Sequence, residues 1–245
     1  MPHSNPESKS LATGLTPTRF LSARPVWLPG REQEMNLTVG FRAAFAAPRT
    51  GPGEHVLLRV AASSLYRAFL NGEFIGHGPA RGPHGFYRLD EWDLTGRFRP
   101  GRNVLALEVV GYNVNSYYLL DQPAFLQAEV IAEKRVLAAT AARGRGFAAH
   151  VVDERVQKSQ RYSYQRTFME VWRPRRGFNA WRTDPKVAVR TERLTEVEPK
   201  RLIPRAVPYP TFALRNPVAS AASGRTRTGQ DHQGCARNCR HPFAG

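Results

Sequence analysis

From Arg24 to about Val152, short apolar segments alternate with turn signals built from Gly, Pro and Asn-Gly. Segments this short, with aromatic and β-branched residues between turns, predict strands and an all-β sandwich or barrel. The expected strands are Pro25–Leu28, Asn36–Ala46, His55–Ala62, Tyr66–Leu70, Glu73–Gly76, Tyr87–Asp93, Asn103–Val110, Ala124–Ala132 and Arg135–Ala139. In Phe69-Leu70-Asn71-Gly72-Glu73-Phe74 the Asn-Gly pair supplies the two positive φ angles of a type I′ hairpin turn. Arg99-Pro100-Gly101-Arg102-Asn103 predicts a second turn. In the run that follows, Leu105, Leu107 and Val109 form a uniformly apolar face that should point inward. No helical period of any length emerges.

The region Arg143–Trp181 continues in the same style, with aromatic residues and more Arg, and is expected to form further strands. From Asp184 to Asn216 the chain is punctuated by Pro185, Pro199, Pro204, Pro208 and Pro210. This predicts an extended connector with room for one edge strand. The ends differ from the middle. Residues 1–23 read as a flexible leader, 24–183 as the sandwich, 184–216 as the connector and 217–245 as a disordered tail. The tail has almost no bulky apolar residue and cannot build a core. Its abrupt change of composition suggests disorder or a reading-frame shift after about Asn216.

A length of 245 residues allows one large domain or two small ones. Hydrophobic residues at 41% exclude a wholly disordered chain. No segment approaches the ~18 apolar residues of a membrane span, so no membrane partner is expected. The leader lacks a basic stretch followed by an apolar one, so a cytoplasmic location is expected. Net charge is +16, but 31 of the 36 basic residues are Arg. Such a bias, beside abundant Gly, Pro and Ala, points to GC-rich codons as much as to an anionic partner. The two cysteines, Cys235 and Cys239, lie in the tail near His232 and His241. That spacing is a weak zinc signal, and neither a metal nor a cofactor is expected.

The densest polar and aromatic constellation joins Asn71–Thr95 to Gly111–Gln122. Arg81, His84, Tyr87 and Trp92 are candidates for one surface; Tyr112, Asn113, Asn115, Tyr117, Tyr118, Asp121 and Gln122 for another. Saccharides need this mixture, aromatic faces for C–H patches and polar groups for hydroxyls. The competing reading is that the glycines serve turns and the aromatics fill the sandwich edge. Asp90 and Glu91 point to opposite faces of a strand, poor for paired acid–base work, and Asp93 ends it. No nucleophile elbow and no phosphate-binding glycine loop is present. Alternating Arg and aromatics over Arg161–Arg205 admit single-stranded nucleic acid or an inter-domain face. Given the Arg bias, nucleic acid is the less favoured partner.

Several runs together resemble the N-terminal domain of bacterial α-L-rhamnosidases of the GH78 type. They are Phe69 to Arg81 (F-L-N-G-E-F-I-G-H-G-P-A-R), Tyr87 to Thr95 (Y-R-L-D-E-W-D-L-T) and Pro100 to Ala106 (P-G-R-N-V-L-A). Pro25-Val26-Trp27-Leu28, Gly40-Phe41-Arg42, Gly111 to Tyr118, Arg161 to Arg166 and Leu202 to Pro210 extend the likeness over about residues 24–214. The resemblance implies a galactose-binding-like jelly roll serving as an accessory module. In that family the catalytic carboxylates lie in a separate (α/α)₆ barrel. The resemblance therefore carries no catalytic residue to this chain, and truncation and poor solubility are expected. Its implied partners are the missing catalytic domain and a rhamnosylated glycan. A freestanding lectin-like protein and, behind it, a nucleic-acid-binding module are the alternatives.

Overall fold

The computed structural model describes residues 19–49, 51–142, 146–213 and 219. Its elements are β1 (Val26–Trp27), β2 (Leu37–Ala46), β3 (Val56–Ser63), β4 (Leu65–Leu70), β5 (Glu73–Gly78) and β6 (Phe86–Asp93). They continue with β7 (Arg102–Gly111), β8 (Phe125–Ala132), β9 (Arg135–Ala139), β10 (Ala148–Val151), α1 (Ala180–Thr183), β11 (Thr195–Glu196) and β12 (Arg201–Pro204). One sheet has the order β11-β1-β8-β3-β6-β12, with β9 also paired to β8; the other has the order β10-β2-β7-β4-β5. They form a sandwich.

Alternation decides which way each strand faces. Leu37, Val39, Phe41 and Ala43 of β2 point inward with Leu105, Leu107 and Val109 of β7. Val56, Leu58, Val60 and Ala62 of β3 meet them with Leu126, Ala128 and Val130 of β8. Asn71 and Gly72 both have positive φ, 53° and 83°, as the hairpin between β4 and β5 requires. The central ladder, β2 with β7, runs antiparallel from Leu37 opposite Gly111 to Ala46 opposite Arg102.

The outer faces are covered too. Ala106 of β7, Val152 and Trp181 form a cluster supported by Phe69, Trp172 and Val189. Here the structure departs from the expectation of further strands over Arg143–Trp181. The region holds one strand, β10, and between it and α1 the chain makes only isolated bridges, Arg155 with Trp172 and Arg161 with Phe168. Trp172 and Trp181 are spent on the outer face of a finished sheet rather than on a ladder of their own. On the other sheet Ala61, Tyr87 and Phe125 are covered by Phe20, Val197 and Leu202.

The Pro-punctuated stretch supplies the edge strand. β12 pairs with β6 in parallel, Leu202 opposite Tyr87, and β11 pairs with β1. Of the expected leader, residues 19–23 are described and held in place. The Glu129 carboxylate, fully buried, accepts from the Leu21, Ser22 and Ala23 amides at 2.8 to 3.1 Å. The compact unit runs to Tyr209. From Pro210 onward the described residues, 210–213 and 219, contain no helix or strand. Cys235, Cys239, His232 and His241 lie outside the described residues, as does the rest of the expected tail. No helix among the described residues is long and apolar enough to cross a membrane.

Candidate functional site

The glycine-rich motif and the Asp-Glu-Trp motif meet across the sandwich. Asp90 and Trp92 lie on the inward face of β6, two residues apart. The Asp90 carboxylate is fully buried and accepts from the Tyr66 hydroxyl of β4 and from Arg205 Nη1 at 2.8 Å. Trp92 Nε1 donates to the Tyr66 hydroxyl at 2.8 Å, and its ring lies 4.3 Å from that of Tyr209. Gly76 and Gly78 make this approach possible. A Cβ on Gly78 would come within 2.1 Å of Asp90 Oδ2, and one on Gly76 within 2.3 Å of the Trp92 indole. Burial pushes the Tyr66 hydroxyl well above its usual range, with the Asp90 charge adding to it. Burial also raises the Asp90 carboxyl, against the downward pull of Tyr66 and Arg205.

This network places Trp92 in the core instead of on the ligand-facing surface expected for it. Its indole N–H joins the sheets through Tyr66, and its ring packs against Gly76 and Tyr209. Tyr112 and Asn113 are likewise internal. Tyr112 takes a hydrogen bond from Arg155 Nη2 at 3.2 Å. Asn113 donates to the carbonyls of Glu32 and Gln122 at 2.9 and 3.1 Å.

Beside the network opens a cleft of about 500 Å³. It lies between the Pro79–Gly82 turn, the start of β6, the Ser63–Leu65 corner and the Ser116–Gln122 loop. Of the expected residues, Arg81 and Tyr87 line it with Tyr117, Tyr118 and Gln122. Gln122 Oε1 accepts from the Gly85 amide at 2.7 Å and ties one wall to the other. Arg88 Nε donates to the Arg81 carbonyl at 2.9 Å, fixing the turn. The Arg81 guanidinium sits 6.0 Å from the Tyr118 ring centre. Tyr87 closes the base, edge-on to Phe125 at 4.7 Å. His84 is exposed outside the cleft, and Asn115 and Asp121 are exposed on the adjoining loop, where the Asp121 amide donates to Asn115 Oδ1. Sequence reasoning missed Ser63 and Ser64, since only the folded corner brings them to the others, and passed over Arg88 although it adjoins Tyr87.

Three further carboxylates near these motifs have structural partners. Glu91 takes Arg59 Nε at 2.8 Å, Asp93 pairs with His55 at 3.2 Å, and Glu108 sits between Arg67 and Arg182. No cluster of three His, Cys, Asp or Glu among the described residues could hold a metal. The Arg-and-aromatic stretch is not one continuous stripe. Arg161 binds the carbonyls of Asn115, Tyr164 and Arg166, Arg182 lies 4.6 Å over Phe69, and Arg205 holds Asp90.

No family model matches the chain, and no curated protein matches it. Solved structures do. A GH78 family rhamnosidase of Bacillus sp. GL1 is 29% identical over 78% of this chain, with a TM-score of 0.70. The native α-L-rhamnosidase of Aspergillus terreus shares the fold at 14% identity and a TM-score of 0.52, over 74% of this chain. This chain spans only 20% and 22% of those two proteins. The likeness is thus to one β-sandwich region of much longer enzymes.

Proposed function

We propose that the chain is an accessory β-sandwich module of an α-L-rhamnosidase-like glycoside hydrolase. It packs beside further domains and offers its cleft to carbohydrate, without hydrolysing it alone. The observation that carries this reading is the 29% identity over most of the chain to one fifth of a GH78 rhamnosidase. The chemistry of the sandwich agrees. Hydrolysis of a glycoside canonically uses two carboxyl groups flanking the scissile bond. The cleft is lined by no Asp or Glu. Its tyrosines, serines and Gln122 are suited to holding a sugar rather than cleaving one.

The test is an assay of the purified chain on an aryl α-L-rhamnoside, beside a glycan-binding screen. The expected result is no release of the phenol and saturable binding of at least one saccharide. Release that co-purifies with the chain through several columns overturns the reading.

A further inference from the structure

The cleft has a charge of one sign. Arg81 and Arg88 line it, and no Asp or Glu does. Other arginines of the sandwich have carboxylates: Arg59 meets Glu91, Arg97 meets Glu73 and Arg205 meets Asp90. Arg88 instead spends Nε and Nη1 on the carbonyls of Arg81 and Pro204. Carbonyls satisfy N–H groups but leave the guanidinium charge uncompensated. Arg81 is exposed and held near the Tyr118 ring. Arg201 adds another guanidinium at the rim, 5.8 Å from the ring of Phe86, a lining residue. Asp121 is exposed on the loop and does not line the cleft; Asp90, beneath, is already matched by Arg205.

We propose that the cleft takes an acidic saccharide, a chain bearing uronate carboxylates, in preference to a neutral one. This deepens the carbohydrate reading above and rests on it. The planar fork of Arg81 meets a carboxylate with two parallel hydrogen bonds, and Arg88 reinforces it with charge. Tyr117, 70% exposed, offers a ring face to the C–H side of a neighbouring sugar. Gln122, whose Oε1 is held by the Gly85 amide, turns its amide Nε2 to a sugar hydroxyl.

Calorimetric titration of the full chain tests this. The probes are oligogalacturonate, a glucuronate-containing oligosaccharide, and neutral oligosaccharides of equal length, each repeated with inorganic sulfate as competitor. Expected are saturable binding of the uronate chains, at least about tenfold tighter than the neutral ones, and a loss of about tenfold in Arg81→Gln. Tyr117→Ala weakens binding as well, and both variants keep the parent melting temperature because both side chains are exposed. Equal affinity for neutral and acidic chains, or full affinity in folded Arg81→Gln, overturns the inference and leaves the carbohydrate reading standing. Displacement by equimolar sulfate marks a general anion site and also overturns it. Absence of binding to any saccharide overturns both.

Discussion

The Tyr66 hydroxyl of β4 donates to the Asp90 carboxylate of β6, joining the two sheets through the middle of an otherwise apolar core. Arg205 reaches the same carboxylate from just beyond the edge strand β12. A fully buried carboxylate is tolerated only while such partners satisfy it.

Removing one partner should therefore cost more than the bond it made. Arg205→Ala leaves the Asp90 charge without its cation and is expected to lower stability by about 3–5 kcal/mol. Tyr66→Phe removes one donor and should cost about 1–3 kcal/mol. Urea unfolding of the two variants, followed by circular dichroism, gives both values. A loss below 1 kcal/mol for Arg205→Ala would show that Asp90 does not depend on it.

The two glycines of β5 should tolerate no side chain. Gly78→Ala drives its Cβ against Asp90, and Gly76→Ala against the Trp92 indole. Each is expected to destabilise by about 1–3 kcal/mol or more, with loss of the near-ultraviolet Trp signal. The control is Gly96→Ala, where positive φ strains the backbone but nothing lies within 4 Å of the new Cβ. It should cost less.

How the sequence relates to this architecture can be argued from the same residues. The strands were readable because short apolar runs sit between turn signals, and in β7 the face of Leu105, Leu107 and Val109 is uniformly apolar, although the opposite face with Ala106 and Glu108 is covered as well. The Asn71-Gly72 turn was readable from its own chemistry. The segment after β10 was not, because its aromatic content reads like strand yet Trp172 and Trp181 pack against the outer face of a finished sheet. The role of Trp92 was hidden for a related reason. An aromatic residue beside acids looks the same whether it faces a sugar or a second sheet. Only the contact with Gly76 and Tyr66 separates the two. The cleft was half legible: Arg81, Tyr87, Tyr117, Tyr118 and Gln122 are near one another in two sequence runs, whereas the Ser63–Leu65 corner joins them through tertiary structure alone.

Stability should fall on the alkaline side. Burial pushes the Tyr209 hydroxyl up to about 12 from 10.0, and Tyr66 also titrates above its usual range. A group raised on folding contributes stability that is complete below its unfolded value and lost as pH rises toward the folded one. Melting temperature is thus expected to drop steadily above about pH 10. Tyr209→Phe should shallow that slope, since one of the two phenols is gone. An unchanged slope would remove Tyr209 from the account. The acid limb has its own source. Burial lowers His77 and His150 below 6.5, so their contribution is present above that value and lost as pH falls through the lowered one.

Glu129 should act as the anchor of residues 21–23. Glu129→Gln keeps the shape but loses the charge that draws three successive amides. Hydrogen exchange at Leu21, Ser22 and Ala23 is expected to accelerate by about tenfold or more, with lesser change at β2 and β7. Uniform acceleration through the sandwich would instead mark Glu129 as a global stability residue.

Tyr162 and Tyr164 offer the opposite case. They are 75% and 78% exposed, and the backbone around them is fixed by Arg161. Replacing both with Ser should change stability by no more than about 0.5 kcal/mol at each site. A large loss in thermal melting would place them in packing that the exposed rings do not show.

The central claim is that the cleft holds carbohydrate and does not cut it. Its most direct test is a ¹H–¹⁵N NMR titration of the chain with a rhamnosylated acidic oligosaccharide, with the saccharide spectrum recorded throughout. The account predicts saturable shifts centred on Ser63–Leu65, Ala80–Gly82 and Ser116–Gln122, and an intact saccharide at the end. Shifts that avoid those residues, no shifts at all, or cleavage of the saccharide would contradict it.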